Sequence, residues 1–396
     1  MEAHRAPSEG DITVSQRSQQ VPASPTIAIS NLVSQLKSEG VDIVSFSLGE
    51  PDFTTPANVI DAAKASLDRG FTHYTPSMGI PALREAIAAK VRRDNGLDIT
   101  AANVLVTPTK QALFLIALSY IDPGDEVIMP DPAWVTYDAL IRLAGGIPVR
   151  VTTTYEDDFV LDPEKVAAAV TPKTRMIILN TPCNPTGAVI PEKVIRAIAD
   201  IAVKNNIMVL SDEIYESLIY EGKHFSIARC PGMEQLALTV SGFSKTYAMT
   251  GWRVGWVVAS KENIKVINKL QSQSISCCTS FAQEGAVEAL VGPQDSVKEM
   301  IKAFGARRKL MVDLVRAIPG LDCKVPAGTF YVFVKYSADI PSAELAERLL
   351  QEAHVAVTPG SAFGPAGEGF FRLSYATSEE QIREGLSRIA GFMKKL

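Results

Sequence analysis

Short apolar runs alternate with longer periodic segments along most of the chain. "ANVLVTP" precedes "KQALFLIALSYI", "DEVIMPDP" precedes "WVTYDALIRLAGG", and "TRMIILN" precedes a Pro-rich loop and "PEKVIRAIADIAVKN"; "NIMVLSDE" and "LALTVSGFSK" follow. Uninterrupted apolar runs read as strands buried on both faces, with helices as their connections. The pattern predicts an α/β fold with a mostly parallel sheet covered by helices. Ile80, Leu83, Ile87 and Val91 share one face of "IPALREAIAAKVRRDNG", a helix that should stop at Gly96. Ile382, Leu386, Ile389 and Met393 share a face near the other end. After about Val291 the pattern changes. Two long helical stretches lead to "TFYVFVKY", then a helix, "HVAVTPG" and "GFFRLSYA", as in a smaller α+β unit. The expected division is a polar tail over 1–20, a large domain over 56–293, and a small domain built from 21–55 and 294–396. The segment "VDIVSFSLGEPDF" should cross between the two domains.

Composition narrows the function classes. The 396 residues are 46% hydrophobic and 21% charged, ordinary for a soluble chain able to bury a large core. A net charge of -5 offers no basic footprint, so nucleic acid is not an expected partner. "ALFLIALSYI" is too short to span a bilayer and reads as a buried helix. The opening "MEAHRAPSEGDITVSQRSQQ" has no apolar core of a secretory signal, so cytoplasmic residence is the default expectation. Its polarity fits a loosely ordered tail. The five cysteines are scattered without metal-ligand spacing, and the four histidines form no i, i+4 pair, so no metal site is expected.

The unusual residues sit at or just after strand-like ends, where open α/β sheets bind ligands. Lys245, in "SGFSKTYAMTGWRVGW", is either a solvated loop lysine or one desolvated to act as a nucleophile, with Arg253 adding positive field or gripping a phosphate. Asp212, in "SDEIYESLIY", is either a helix cap or a buried acid awaiting a cation. Asn184, in "NTPCNPTG", lies in a turn whose X-Pro bond admits a cis form. Thr109 and Lys110 open a helix whose free N–H groups suit an anion, or simple capping. Trp134 either packs in the core or stacks on a flat ring. Arg372, in "FFRLSYA", is either an edge arginine or a two-pronged carboxylate clamp.

Their joint order carries more than any one of them. "SLGEPDF", "HYTPSMGIPALREAI", "DPAWVTY", "NTPCNPTG", "SDEIY", "SGFSKTYAMTGWRVGW" and "FFRLSYA" resemble the successive motifs of class I aminotransferases. The resemblance covers nearly all of the chain after residue 20, and within it the chain is similar to the aspartate/prephenate branch. It implies the fold-type-I architecture and pyridoxal 5'-phosphate (PLP) as cofactor. It makes Lys245 the Schiff-base lysine, Asp212 the partner of the pyridine nitrogen, and Tyr215 and Asn184 the donors to the ring oxygen. It stacks Trp134 on the ring and gives the phosphate to Arg253, Thr109 and Ser244. Tyr74 would reach the phosphate of a neighbouring subunit, so a homodimer is implied. Arg372 would clamp the substrate α-carboxylate beside Gly49, and the Asn184–Pro185 bond would be cis. Thr26 and Lys110 resemble a pair that meets a second carboxylate in relatives with dicarboxylic substrates.

The chain departs from the common pattern at Pro108, where many relatives have glycine or alanine, and at Gly242, where many have serine. These departures bear on one phosphate contact, while the likeness at Thr26 and Lys110 makes an acidic amino acid and a 2-oxo acid the expected substrates. An aromatic or broad-specificity aminotransferase and a carbon–sulfur lyase of the same fold are the alternatives. A PLP-binding regulator would need a DNA-binding domain larger than the short polar tail.

Overall fold

The computed structural model describes residues 14–21 and 25–396. Thirteen strands occur among them. In chain order they are β1 (Val44–Ser45), β2 (Val104–Val106), β3 (Glu126–Asp131), β4 (Ile147–Thr152), β5 (Thr174–Asn180), β6 (Met208–Asp212) and β7 (Ala237–Gly242). Then come β8 (Gly255–Val258), β9 (Leu321–Cys323), β10 (Tyr331–Tyr336), β11 (Val355–Ala356), β12 (Thr358–Pro359) and β13 (Phe370–Ser374). Seven form one sheet in the order β2-β8-β7-β6-β5-β3-β4. It is parallel from β7 to β4, and β8 runs antiparallel to both β7 and β2. The expectation of a mostly parallel, helix-covered sheet holds. Its apolar runs are buried because helices cover both faces, leaving no face for polar alternation. β2 is buried throughout, and so is β7.

A second sheet, β12-β13-β10-β9, is antiparallel, and a short parallel pair joins β1 to β11. The β1 pairing ties the segment before Gly49 to the chain beyond residue 350. One helix, Asp295–Arg316, stands where two long helical stretches were expected. Val297, Met300, Phe304, Met311, Val312 and Val315 keep one buried stripe along it, with no proline or capping break to divide it. The faces predicted for Pro81–Lys90 and Glu379–Met393 are buried at Leu83, Ile87, Ile382, Leu386 and Ile389. The first of these helices ends in a π turn, Val91–Asn95, before Gly96 takes the left-handed conformation.

An aromatic cluster joins the two sheets. Phe159, from the loop after β4, packs at 5.5 Å against both Phe333 of β10 and Phe370 of β13. Asp158 in the same loop pairs with Lys324 at 2.9 Å. Across this seam the turns after β5, β6 and β7 share a cavity with Tyr331 of β10 and Arg372 of β13. No described helix is long and apolar enough to cross a membrane.

Candidate active site

A cavity of about 390 Å³ opens where those strand ends meet β10 and β13. Parallel register sets its composition. Asn180 pairs with Asp212 across β5 and β6, so these two strands stop at one level, and Asp212 pairs with Val240 of β7, which runs two residues further. The turns leaving them carry Asn184, Tyr215 and Lys245 into the same space. Thr109, Lys110, Trp134, Ser244, Arg253, Gly49 and Arg372 also line it.

Asp212 is buried, and the turn after it is not a helix. Its Oδ1 accepts from the backbone N of Ile214 at 3.2 Å and its Oδ2 from the hydroxyl of Tyr137 at 2.7 Å. Neither partner carries charge. Burial raises its pKa from 3.8 to about 6, against the lowering effect of both hydrogen bonds. A cation supplied from the cavity would restore the ionised form.

Lys245 leaves β7 on the short turn Phe243–Thr246, and its Nζ donates to the carbonyl of Gly49. The amine faces the cavity from a partly buried stem. Its pKa falls to about 8, mainly through burial, with Arg372 and Arg253 adding to the effect and Glu50 opposing it. An amine so placed is neutral in a usable fraction near physiological pH and so can attack or take a proton.

Arg372 is fully enclosed. It donates to Oδ1 of Asn184 at 2.8 Å and to the carbonyl of Ser47 at 2.9 Å, while its Nε has no partner. Its guanidinium lies 4.2 Å from the ring centre of Tyr331. Among the described residues no carboxylate pairs with this cation, which leaves it to take one from a ligand. Asn184 is fixed from the other side by Asn180, whose side chain accepts from its backbone N at 2.8 Å. The Asn184–Pro185 bond is cis, as expected, and so are Thr181–Pro182 and Asp131–Pro132.

At the far side of the cavity, Thr109 begins the helix Thr109–Tyr120, and its hydroxyl donates to the carbonyl of Ser241 at 3.3 Å. Arg253 takes a left-handed backbone with φ of 57° and donates to the carbonyl of Thr250 at 2.7 Å. It is otherwise exposed beside the helix start. Gly242 has a packing reason to lack a side chain. A Cβ there would lie 2.5 Å from the Thr109 hydroxyl and 2.9 Å from the Cα of Gly255. Lys110 is exposed and sits 4.8 Å over the Trp134 ring. Burial, then Arg253, draw its pKa below the ordinary lysine range.

Not every sequence candidate meets here. Tyr74 is 91% exposed and does not line the cavity. The side chain of Thr26 lies outside the described residues, although its backbone opens the helix Pro25–Ser38. Tyr137, Asn180, Tyr331 and Ser47 line the cavity without having been expected. "IILN" ends in Asn180, so strand-end position was a usable signal for it, whereas Tyr137, in "DPAWVTY", lies within the helix Thr136–Leu143. Nothing in "TFYVFVKY" distinguishes Tyr331 from its neighbours. Glu213, Glu216 and His224 cluster behind the cavity, where Lys90 Nζ lies 2.7 Å from Glu216 and supplies the cation.

The residues present fit a phosphorylated pyridine aldehyde. A buried acid lacks a cation, an amine has a depressed pKa, and a helix start with an arginine offers an anion site. Comparison with known proteins points the same way. Residues 41–389 match the family model described as aminotransferase class I and II. The chain is 45% identical to the aspartate/prephenate aminotransferase of Thermus thermophilus, covering 95% of this chain and 98% of that one. A solved structure of aspartate aminotransferase from Thermus thermophilus with maleate superposes with a TM-score of 0.93 at 44% identity, covering 96% of this chain and 100% of that one. The aromatic aminotransferase from Pyrococcus horikoshii OT3 superposes with a TM-score of 0.87 at 41% identity, covering 92% and 99%.

Proposed function

The chain belongs to the class I and II aminotransferases, and from that premise we propose that it moves the amino group of aspartate or glutamate to a 2-oxo acid such as 2-oxoglutarate. It is a fold-type-I enzyme that depends on pyridoxal phosphate. The observation that carries the substrate reading is a pair of cations at separate places on one cavity, Arg372 and Lys110, neither paired there with a carboxylate. Two such cations suit a dicarboxylic ligand. The names of the similar proteins, aspartate and aspartate/prephenate aminotransferase, support the same choice.

Bound in the cavity, pyridoxal phosphate supplies an aldehyde carbon that takes up the amino group and a pyridine ring that accepts electrons. Asp212 would hold a proton on the ring nitrogen through an ion pair. Tyr215 and Asn184 would donate to the ring oxygen, and Trp134 would pack on the ring face. Arg253, Thr109, Ser244 and the N–H groups of the Thr109 helix would hold the phosphate. Lys245 would take a proton at Nζ from the substrate Cα and return it elsewhere, a task for which a pKa of about 8 suits it. Arg372 would grip the α-carboxylate with two parallel hydrogen bonds, beside Gly49. Lys110, with Thr26, would meet the second carboxylate.

The reading extends to assembly and place. Tyr74, exposed in the single chain, would reach the phosphate of a second subunit, so the working unit is a homodimer. The chain divides into a large domain over 56–293 and a small one from 21–55 and 294–396, and the protein works in the cytoplasm.

A donor screen tests the substrate reading. Aspartate, glutamate, alanine, tyrosine and kynurenine are each offered with 2-oxoglutarate, and prephenate is offered as acceptor. Aspartate or glutamate should give the highest kcat/KM among the donors. A clear preference for tyrosine would favour the aromatic alternative, which the Pyrococcus horikoshii likeness keeps in view. Release of ammonia and pyruvate from a cysteine conjugate, without any acceptor, would favour a lyase.

A further inference from the structure

Tyr331 joins two groups that the proposed function assigns to different tasks. Its hydroxyl lies 3.1 Å from the hydroxyl of Tyr215. Its ring lies 4.2 Å beneath the guanidinium of Arg372. The side chain is 1% exposed and lines the cavity. We propose that Tyr331 is a positioning residue with two separable parts, its hydroxyl directing the proton of Tyr215 into the cavity and its ring holding Arg372 ready for a carboxylate.

The direction of the Tyr215–Tyr331 bond follows from what each oxygen can reach. Each hydroxyl has the other as its described hydrogen-bond partner, and both side chains line the cavity. If Tyr215 donated, its proton would be spent on the Tyr331 oxygen and withheld from a ligand atom beside Tyr215. If Tyr331 donates, both oxygens are served and the Tyr215 proton is left for a ligand atom. Arg372 reinforces this direction. A cation over a phenol ring draws electron density away from the hydroxyl and makes it the better donor. The chain keeps Tyr331 from turning away. Its backbone N donates to the Thr329 hydroxyl at 3.1 Å, and Thr329 itself bonds back to Leu218 across the seam between the sheets. Phe330 packs 4.7 Å from the Tyr331 ring on one side.

The ring acts on Arg372 by a different route. The two hydrogen bonds from Arg372 to Asn184 and Ser47 fix two nitrogens, and the aromatic face below fixes the plane. Phe363 lies 5.0 Å away and gives a second aromatic contact. A guanidinium held in one plane loses less freedom when it takes a carboxylate than one that must be ordered on binding.

The inference rests on the proposed PLP-dependent function, and Tyr331→Phe and Tyr331→Leu separate the two parts. The PLP-bound protein is titrated by visible absorbance against pH, then with maleate as an unreactive dicarboxylate. Tyr331→Phe keeps the ring and loses the hydroxyl. Its absorbance midpoint should move upward by about 0.2–0.6 pH unit, the effect of removing one cooperative donor from a charge-assisted bond, while its maleate Kd stays within twofold. Tyr331→Leu loses the ring as well and should weaken maleate by roughly tenfold, the order of a desolvated cation–π contact. A Tyr331→Phe midpoint equal to wild type overturns the role of the hydroxyl. Equal weakening of maleate by both variants overturns the role of the ring. A wild-type protein with no visible PLP band overturns the parent reading as well, which sets that failure apart from the others.

Discussion

Replacing Lys245 with methionine should make the cofactor-free protein more stable at neutral pH. The lysine's pKa falls from 10.5 to about 8 in the folded chain, with burial as the main cause. At about 1.4 kcal/mol per unit, keeping the ammonium charged in the fold costs about 3 kcal/mol relative to the unfolded chain. Lys245 also donates a hydrogen bond to the Gly49 carbonyl. Losing the bond offsets about 1 kcal/mol of the gain. The net for Lys245→Met is about 2 kcal/mol, or roughly 2–3 °C in Tm for a chain of this size.

The pH window follows from the sign of the shift. Above 10.5 lysine is neutral in both states, so its charge costs nothing there. Between about 8 and 10.5 the unfolded chain binds more protons than the folded one, so wild-type stability rises with pH. Below about 8 the cost is present in full. The advantage of Lys245→Met should therefore be constant at neutral pH and shrink across that interval. Thermal unfolding of both proteins, stripped of cofactor and followed by circular dichroism from neutral to alkaline pH, measures it. A variant less stable than wild type at neutral pH would refute the reasoning. So would a stability difference that does not shrink as pH rises. On the proposed function, the same variant loses activity, the usual exchange when a destabilising site residue is replaced.

Arg372→Lys keeps a charge but loses the planar fork, and it leaves Asn184 and Ser47 without a donor of the right geometry. Steady-state kinetics should show a fall in kcat/KM of at least about 10²-fold for every donor, since all share the α-carboxylate. Lys110→Ser should raise the KM for aspartate about tenfold and leave that for tyrosine unchanged or lower, which a two-substrate comparison reads directly. Lys90→Met removes the cation 2.7 Å from buried Glu216 and should destabilise the protein by about 3–5 kcal/mol in chemical denaturation. Burial alone would raise the Glu216 pKa, but Lys90, His224 and Asn95 overcome it and hold the carboxyl at about 2. That stabilisation is present above the ordinary value of 4.5 and is lost as pH falls toward 2. The penalty of Lys90→Met should therefore shrink in acid, and Glu216→Gln in the same chain should recover much of it.

How much of the candidate site was legible depended on where each residue sits along the chain. Asp212, Asn184 and Lys245 follow the ends of β6, β5 and β7, and a parallel sheet brings such ends together whatever the details of packing. Apolar runs and helical faces were enough to predict that sheet. The single helix Asp295–Arg316 was read as two stretches because charged residues interrupt its apolar pattern, among them Arg307 and Arg308, which the fold covers by pairing them with Asp52 and Glu221. The helix-cap alternative for Asp212 failed because burial and the Tyr137 hydroxyl hold the carboxylate inward, and only the adjacent Ile214 N is capped.

By itself, then, the sequence determined the order of elements, the sheet class and the residues at strand ends. These follow from local periodicity and from turn chemistry, which act over a few residues. The tertiary structure decided which distant side chains share a cavity and what charge state burial favours there. Arg372 meets Asn184 across 188 residues of chain, and Tyr331 meets Tyr215 across 116. No local pattern encodes such contacts, because they depend on how the second sheet seats against the first through Phe159, Phe333 and Phe370. The pKa of Lys245 belongs to the same class. A lysine beside water and a lysine beside Arg372, Arg253 and a buried wall are identical in sequence, and only desolvation and neighbouring charge separate them.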